Sequence, residues 1–490
     1  MFEAKMYPSV CITLVLIGTT LGESGPNPGI QSKITQKALE YARQIGINVA
    51  EKMIKEFQLP ELSGTIDLLG WIEYRITGMY IKSFGLPNSD IGLVPNSGVK
   101  FSVDNSHIDI GGNWHVTFGL IKDGGTFELN INDLSAAFLV NVSQDSSRPV
   151  LSYNDCDASL NSFNLQLHGG GSWFYDMFLA QMKNEIRQVV PQKLCTEFRN
   201  EIEKLEAYIQ TLNISRQLDQ YVELDYSLVG EQVITADSIG LPIKGELYDV
   251  RHHQESPFTA RSFNLPNTTA HMLILGLSEY FVNTGGFAYF EAGAMQINIT
   301  DDMIPKDIPV RLNTSSLKLL MPEVAKQYPN LLMKIAVSAT KQPVVKLVPG
   351  KFIADVFTAA KVFAILPNKS LAELFVLGIT GSVRGQMFTS DRKLCGSLFL
   401  NSVDLTAEES TVGPIPTMAM ELVLKMGLQK MVLPKINAML KKGLIIPTML
   451  NASLINTLLT IDQDLIVIAT DIQYGSKFTS KRNTKLKTNY

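Results

Sequence analysis

Hydrophobic residues recur at helical spacing in two long stretches of the chain. The first runs from Ile30 to Phe57, with an apolar residue at every third or fourth position, and Leu59-Pro60 ends the pattern. Its apolar positions are Ile30, Ile34, Ala38, Tyr41, Ile45, Val49, Met53 and Phe57. A second such stretch spans residues 172–210 and contains Pro191, which predicts a kink. We therefore predict two long amphipathic helices in the first half of the chain.

Between residues 66 and 142 the hydrophobic period changes to two. Val99, Phe101 and Val103 alternate with polar residues, and glycine-rich clusters at 111–113 and 123–125 separate such runs. This alternation predicts antiparallel strands joined by hairpins, with one face buried and the other solvated. A helix, a meander of strands and a second helix together describe a sheet wrapped around helices.

The second half of the chain is a variation on the first. Leu93-Val94-Pro95 precedes one run of alternating residues and Leu347-Val348-Pro349 precedes another, and helical stretches fall near 317–328 and 418–440. Residues 214–270 contain strand-like stretches and three prolines, which suits a connecting sheet or linker. We predict an α+β protein with an N-terminal barrel at 27–213, this connecting segment, and a C-terminal barrel at 271–476.

The start of the chain indicates export. Lys5 precedes an apolar run at 10–17, and Thr20-Leu21-Gly22 is a plausible cleavage site, so residues 1–22 are predicted to be a signal peptide and the protein to be secreted. No later stretch reaches eighteen apolar residues, so no transmembrane helix is expected. Seven glycosylation sequons fit an extracellular glycoprotein, with most expected on exposed loops. They begin at Asn141, Asn213, Asn267, Asn298, Asn313, Asn368 and Asn451.

The cysteines favour one disulfide in the mature chain. Cys11 lies in the predicted signal peptide, which leaves Cys156, Cys195 and Cys395. Because the chain has no Cys-x-x-Cys spacing, a zinc site or a thioredoxin-like motif is not predicted. One bridge and one free thiol is the simplest arrangement, and composition alone does not say which two residues pair.

Charge and motifs exclude several classes of function. A formal net charge of −4 excludes a globally basic nucleic-acid binder. The chain has no Gly-x-Ser-x-Gly elbow to accompany the lipase-like His168-Gly169-Gly170-Gly171 loop, and no phosphate-cradling or zinc-protease motif. The rings of the adjacent His252 and His253 should point apart, which makes a poor metal pair. We predict that the protein is not an enzyme and holds no metal.

Six short motifs follow one another along nearly all of the chain, from about residue 27 to 476. They are Asn27-Pro28-Gly29, Ile34-Thr35-Gln36-Lys37, Leu93-Val94-Pro95, Asp225-Tyr226-Ser227-Leu228-Val229, Asp301-Asp302-Met303-Ile304-Pro305-Lys306 and Pro322-Glu323-Val324-Ala325-Lys326. In order and spacing they resemble the bactericidal permeability-increasing and lipopolysaccharide-binding family. Around Leu394-Cys395-Gly396-Ser397-Leu398 the chain is also similar to member C of that fold family.

The resemblance implies an elongated boomerang of two pseudo-symmetric barrels, each a twisted antiparallel sheet coiled around long helices, joined by a central sheet. It implies that Cys156 pairs with Cys195 and leaves Cys395 unpaired. It further implies bound phospholipid, with no other cofactor, in an apolar groove of each barrel. The tip of the N-terminal barrel is then expected to contact lipopolysaccharide in the bacterial outer membrane.

The groove that the resemblance implies should be lined by the apolar faces of the two predicted helices. Our candidates are Ile34, Ala38, Ile45, Val49, Met53, Phe174, Phe178 and Ile186. Each methylene of an acyl chain gains about 0.8 kcal/mol on burial, so apolar area would set the affinity. Without the resemblance, the simpler interpretation of these stripes is a dry core.

The tip departs from the lysine-rich pattern of bactericidal members. The hairpin at 65–72 has no basic residue, and the one at 112–122 has Lys122 and the titratable His115. Residues 28–213 hold 15 Lys and Arg against 21 Asp and Glu, a net charge of −6. Our candidates for membrane contact are Leu68, Leu69, Trp71, Ile72, His115, Phe118 and Lys122. The apolar members could form a wedge that enters lipid or could pack locally within the hairpins.

Positive charge returns in a tail at 477–490, predicted to be disordered, with five Lys and Arg and no acidic residue. The sequence thus predicts a secreted lipid-binding protein of innate defence that binds phospholipid and lipopolysaccharide. The alternative is a lipid transfer or carrier protein without bactericidal activity, which the loss of tip lysines favours.

Overall fold

The computed structural model describes residues 26–54, 59, 61–67, 71–171, 175–304, 311–390, 393–445 and 452–474. The predicted signal peptide and basic tail therefore lie outside the described residues. Within the described part of the chain, no helix is both long and apolar enough to cross a membrane.

The first half folds as a curled antiparallel sheet with two helices. Its elements are β1 (Ile30–Thr35), α1 (Gln36–Ile54), β2 (Leu62–Asp67), β3 (Trp71–Gly85), β4 (Asn88–Val94), β5 (Gly98–Phe118), β6 (Ile121–Asp145), β7 (Arg148–His168) and α2 (Tyr175–Thr211). The strand order is β2-β3-β5-β6-β7, with β4 paired to β5, and α2 packs on β7 and β6. This confirms antiparallel strands and the second long helix, in which Pro191 lies. The glycine clusters at 111–113 and 123–125 lie within β5 and β6, so the prediction that they separate strands is wrong.

The first predicted helix begins six residues later than the hydrophobic pattern indicates. Ile30–Thr35 is the strand β1, which pairs with two other strands, so Ile34 lies opposite Ile239 on one side and Leu273 on the other. The pattern misleads because Ile30 and Ile34 continue the four-residue spacing of α1. Pairing with two partners outweighs this local preference, since both edges of β1 find hydrogen-bonding partners.

The second half repeats this plan after a connecting region. The connecting elements are β8 (Ser215–Gln217), β9 (Val222–Asp225), β10 (Val233–Ile234), β11 (Ser238–Ile243) and β12 (Glu246–Asp249). They are followed by β13 (Leu273–Ser278), α3 (Glu279–Glu291), β14 (Gln296–Thr300), α4 (Pro322–Gln327), β15 (Met333–Val348), β16 (Lys351–Ile365), β17 (Leu371–Ser390) and β18 (Lys393–Ser410). The chain continues with α5 (Thr417–Gly427), a π-helical turn (Leu428–Val432), α6 (Leu433–Lys442), β19 (Leu444–Ile445), β20 (Ala452–Asp462) and β21 (Leu465–Tyr474). Strands β14 to β19 form the second curled sheet in sequence order.

A central sheet joins the two curled sheets. Its order is β10-β11-β1-β13-β21-β20, so it combines strands from the beginning, middle and end of the chain. Beside it, β12, β9 and β8 form a small sheet that packs on α3. The predicted α+β class, two curled barrel-like sheets joined by a central sheet, is confirmed.

The Leu-Val-Pro motif marks equivalent turns in the two halves. Leu93-Val94-Pro95 leads into the turn between β4 and β5, and Leu347-Val348-Pro349 leads into the turn between β15 and β16. The Asn96 N–H donates to the carbonyl of Ile234 in β10, and the Gly350 N–H donates to that of Ile461 in β20. Because β10 and β20 are the two outer strands of the central sheet, each curled sheet is docked at an opposite edge.

A buried carboxylate holds the connecting region together. Glu246 is buried and accepts hydrogen bonds from the Tyr248 hydroxyl at 2.8 Å and the Ser256 N–H at 3.1 Å, with Lys244 at 3.5 Å. Burial opposes ionisation, but these hydrogen bonds and the Lys244 charge outweigh it, so the pKa of Glu246 lies below its ordinary value. The carboxylate is therefore an ionised cross-link at neutral pH.

Candidate lipid-binding surfaces

The apolar face of α2 lies over the first curled sheet. Along this face, residues at spacings of three and four pack against the buried residues Ile131, Leu134, Leu160 and Leu165. They are Leu179, Met182, Ile186, Val190 and Leu194. The sheet residues are buried whereas these helix residues are only partly buried. Apolar surface thus remains accessible on the helix side, as one wall of a groove requires.

The predicted groove residues are divided between three elements. Ile186 belongs to the face of α2 just described, and Ala38 and Ile45 are half-buried on α1, which packs mainly on β4. Ile34 lies in β1 of the central sheet instead of on α1. For the others, Val49, Met53 and Phe178 lie within helices but their side chains are outside the described residues, and Phe174 is outside them altogether.

The disulfide lies near the middle of α2, directly after Leu194. Cys156 of β7 is bonded to Cys195 of α2, with their Cα atoms 5.8 Å apart, and Cys395 is a buried free thiol. Beside the bridge, the rings of Phe138 and Phe198 stack at 4.1 Å between centroids. The predicted pairing is confirmed, and it fixes α2 on the sheet.

At the tip of the first sheet, two hairpins end side by side. Strand β3 begins at Trp71, while β5 ends at Phe118 opposite Ile121 of β6, and Ile72 pairs with Phe118. Trp71 is 71% exposed, and Ile121 is also exposed. Gly119 takes a left-handed φ of 58° in the two-residue turn, and the side chain of Leu120 that follows is fully exposed.

These exposures correct the predicted tip. Ile72 is only 1% exposed and Phe118 is half-buried against the same core, so neither side chain is free to enter lipid. Consecutive residues of a strand face opposite sides of the sheet, so Trp71 points outward and Ile72 inward. Leu120 and Ile121, which the sequence did not single out, are the exposed partners of Trp71, and Leu68 and Leu69 lie outside the described residues.

The charged groups near the tip are few and partly neutralised. The Arg75 guanidinium pairs with the Glu61 carboxylate at 2.6 Å on the rim of an open cleft of about 800 Å³. His115, opposite Arg75 in the sheet, lines the same cleft with Glu73. Lys122 is exposed, and the ion pairs found among the described residues do not include it. Apolar side chains therefore dominate the outermost surface.

Comparison with known proteins identifies this architecture. A model of the N-terminal domain of the LBP / BPI / CETP family matches residues 38–208, and the model of the family's C-terminal domain matches residues 216–474. The chain belongs to the LBP / BPI / CETP family.

Several members of the LBP / BPI / CETP family match along nearly the whole chain. A bactericidal permeability-increasing protein of Sebastes schlegelii is 36% identical over 469 residues, covering 95% of this chain and 99% of that one. Human lipopolysaccharide-binding protein is 28% identical, covering 96% and 98%, and human BPI fold-containing family C protein is 28% identical, covering 91% and 89%. A crystal structure of lipopolysaccharide binding protein superposes with a TM-score of 0.57 at 25% identity, covering 91% of this chain and 99% of that one.

Two features with possible catalytic or metal-binding roles have structural roles in this family member. The Gly171 N–H of the glycine loop donates to the Asp123 carboxylate at 3.2 Å, and the Gly170 backbone lies close to the Trp114 ring. The ring of His253 stacks on Tyr248 at 3.6 Å, whereas His252 lies beside Asp249. Across the described residues, histidine, cysteine and acidic side chains are nowhere grouped so as to hold a metal ion.

Two smaller cavities border the central sheet. One, of about 550 Å³, is lined by Arg261, Glu279 and Asp464 among others, and the other, of about 350 Å³, by Lys33, Glu231 and Leu265 among others. Both linings mix charged side chains with apolar ones, and neither includes a residue of α1 or α2. The long apolar groove expected in each barrel therefore stays a prediction.

The sequons differ in accessibility. Asn213, Asn267 and Asn368 are exposed in loops or turns, and Asn298 is exposed on β14. Asn141 is half-buried within β6, where it accepts a hydrogen bond from Ser97. Asn313 is half-buried and caps a short 3₁₀ helix, while Asn451 lies outside the described residues.

Proposed function

We propose that this protein is a secreted lipid-binding protein that carries phospholipid and captures lipopolysaccharide through the tip of its N-terminal barrel. Membership of the LBP / BPI / CETP family supports lipid binding, and two of the most similar relatives are named for bactericidal activity and for lipopolysaccharide binding. The observation that carries the proposal for the tip is the exposed cluster of Trp71, Leu120 and Ile121.

The tip should bind lipid by apolar insertion. Burying a large apolar side chain gains roughly 1.5–3 kcal/mol, and tryptophan is enriched at the membrane interface. Each basic residue near an anionic surface adds about 1 kcal/mol, and the tip has few. Binding through the tip should therefore depend weakly on salt, because screening acts on charge and not on apolar burial.

The acyl chains are proposed to lie along the half-buried face of α2. Its accessible residues include Met182 and Ile186, whose flexible and branched side chains suit a cavity that tolerates different lipids. Mass spectrometry of lipids extracted from the purified protein tests this part. Recovery of stoichiometric phospholipid is expected, and a lipid-free protein that binds none on incubation would refute it.

Substitution of Trp71 tests the tip. The Trp71→Ala variant should bind lipopolysaccharide-containing vesicles about tenfold more weakly, whereas Tyr80→Ala should change little. Tyr80 is a matched control because it is an exposed aromatic residue of the same strand, farther from the tip. The difference between the wild type and Trp71→Ala should persist at 0.5 M salt. Equal binding by the wild type and Trp71→Ala would contradict the proposal.

A second candidate is lipid transfer between carriers without bactericidal activity. The net charge of −6 over residues 28–213 and the scarcity of basic residues at the tip favour it, because both weaken attraction to anionic bacterial surfaces. Transfer of fluorescent phospholipid between neutral vesicles, measured beside killing of Gram-negative cells, separates the two. Transfer without killing supports the second candidate.

A further inference from the structure

The helical segment α5, π turn and α6 is fixed to the second curled sheet by one face. Met420 and Leu424 of α5 pack against the buried core of that sheet. Farther along, the Asn437 side chain accepts a hydrogen bond from the Leu398 N–H at 2.7 Å and donates one to the Leu398 carbonyl at 2.9 Å. These two hydrogen bonds to β18 set the rotation of α6. The opposite face of the segment must therefore point away from the sheet.

That opposite face is apolar and uncovered. Met418, Leu422 and Met426 follow one another at spacings of four along α5, and their exposed fractions are 87%, 60% and 46%. On α6, Met439 is 71% exposed. We call the surface formed by Met418, Leu422, Met426 and Met439 the outer stripe. Residues four apart lie on one side of a helix, so the outer stripe is continuous along α5.

Lysines accompany the outer stripe. Residues 417–443 contain five lysines and a single acidic residue, Glu421. The lysines are Lys425, Lys430, Lys435, Lys441 and Lys442. All five are exposed, and the ion pairs found among the described residues do not include them. An apolar stripe accompanied by unpaired lysines is the pattern of a helix that lies in the interface of an anionic membrane.

We propose that the outer stripe docks on the surface of an anionic phospholipid bilayer, with its lysines at the headgroups. This goes beyond the proposed function, because it assigns a second lipid contact to the C-terminal barrel that needs neither the tip nor a groove. Charge argues against a second copy as the occupant, since a symmetric pair would bring five lysines of one chain against five of the other.

The two lipid contacts should differ in their response to salt. The tip is apolar and lies in the acidic half of the chain, whereas the outer stripe combines apolar and basic side chains. Binding through the outer stripe should need anionic lipid and weaken as salt rises, because headgroup attraction is screened over about 10 Å at 0.1 M ionic strength. This difference allows the contacts to be measured separately in one protein.

The test uses full-length protein carrying Trp71→Ala, so that the contribution of the tip is reduced. Its binding to vesicles of equal phosphatidylglycerol and phosphatidylcholine is compared with binding to phosphatidylcholine alone, at 0.05 and 0.5 M salt. Two sets of changes are then added separately: Lys425→Gln with Lys430→Gln and Lys435→Gln, and Met418→Ser with Leu422→Ser and Met426→Ser. Each set should weaken binding to the anionic vesicles at low salt at least tenfold.

Matched changes on α2 serve as controls. Lys193→Gln and Leu205→Ser alter an exposed lysine and an exposed leucine of the other barrel's helix and should leave binding unchanged. All altered side chains are exposed, so thermal unfolding should be close to that of the parent. Equal binding with and without phosphatidylglycerol, or no loss in either set, would overturn the proposal. So would sedimentation showing a dimer that Leu422→Ser dissociates, since the outer stripe would then be a contact between copies.

Discussion

The two curled sheets share a plan but hold their helices by different means. In each half a Leu-Val-Pro turn docks the sheet at an outer strand of the central sheet. The first half then lays one 37-residue helix, α2, over its strands and bonds it through Cys156 and Cys195. The second half uses the shorter helices α5 and α6, separated by a π turn, and attaches α6 through the Asn437 side chain.

The outer surfaces differ as much as the attachments. Helix α2 has five basic and six acidic residues, whereas the segment 417–443 has five lysines and one acidic residue. The fold needs a helix with one apolar face against each sheet, and both halves provide it. The fold does not depend on how the helix is attached or on which side chains its opposite face carries. These features can therefore differ between the halves and give them different partners.

Among changes that test this difference between the halves, removal of the disulfide should have the largest effect on stability. The bridge closes a loop of 39 residues, and its removal in a Cys156→Ala, Cys195→Ala variant should lower the free energy of unfolding by about 3–4 kcal/mol on the loop-entropy estimate. Urea unfolding followed by tryptophan fluorescence measures this, because Trp71, Trp114 and Trp173 all lie in the first half. Cys395 closes no loop, so Cys395→Ala should leave this transition almost unchanged. An equal decrease in the free energy of unfolding for both variants would contradict a specific contribution of the bridge.

A smaller effect is expected where the second half relies on hydrogen bonds. Asn437→Ala removes both hydrogen bonds to Leu398. It should lower the free energy of unfolding by about 1–3 kcal/mol, because two partly buried backbone groups lose their partner. Hydrogen exchange of the Leu398 amide should become faster. Asn184→Ala, at an exposed position of α2, is the control and should have no effect. Unchanged exchange at Leu398 would mean that the core contacts of Met420 and Leu424 suffice.

The smallest expected effect concerns acid stability of the region between the halves. The folded-state pKa of Glu246 is lowered, so its contribution to stability is fully present above its unfolded pKa of about 4.3 and is lost as pH falls through the lower folded value. A Glu246→Gln variant should therefore lose less stability than the wild type between pH 5 and pH 3. Urea midpoints across this range measure the slope, and parallel curves would rule out the linkage.

The sequence predicted the class of fold because periodicity is a direct record of which faces are buried. It missed α3, although Ser278 caps that helix by accepting from the Phe281 N–H at 3.3 Å and Glu279 lies in its first turn. The Gly285-Gly286 pair within it weakens the local signal. Packing against Leu247 and the hydrogen bond from the Asn283 side chain to the Val345 carbonyl compensate. Packing with residues distant in sequence cannot be read from a local window.

The tip shows the same limit at the scale of single residues. Trp71, Ile72 and Phe118 are equally apolar in the sequence, and only the register of β3 and β5 decides which of them faces the core. Leu120 could have been found from its position after Gly119, since a two-residue hairpin turn with a leading glycine exposes its second residue. The outer stripe is apolar at helical spacing as well, and its exposure follows only from the attachment of the opposite face.

The strand order of the central sheet also constrains how the protein is made. Strand β1 leaves the ribosome well before its partners β11 and β13, which follow at Ser238–Ile243 and Leu273–Ser278. Until then β1 presents two unpaired edges, which are prone to join other chains. The next strand of the sheet, β21, ends at Tyr474, so the sheet cannot be completed before that residue is made. We therefore expect the nascent chain to depend on chaperones that shield β1. A stop codon before β21 should impair folding of the N-terminal half as well as of the C-terminal one.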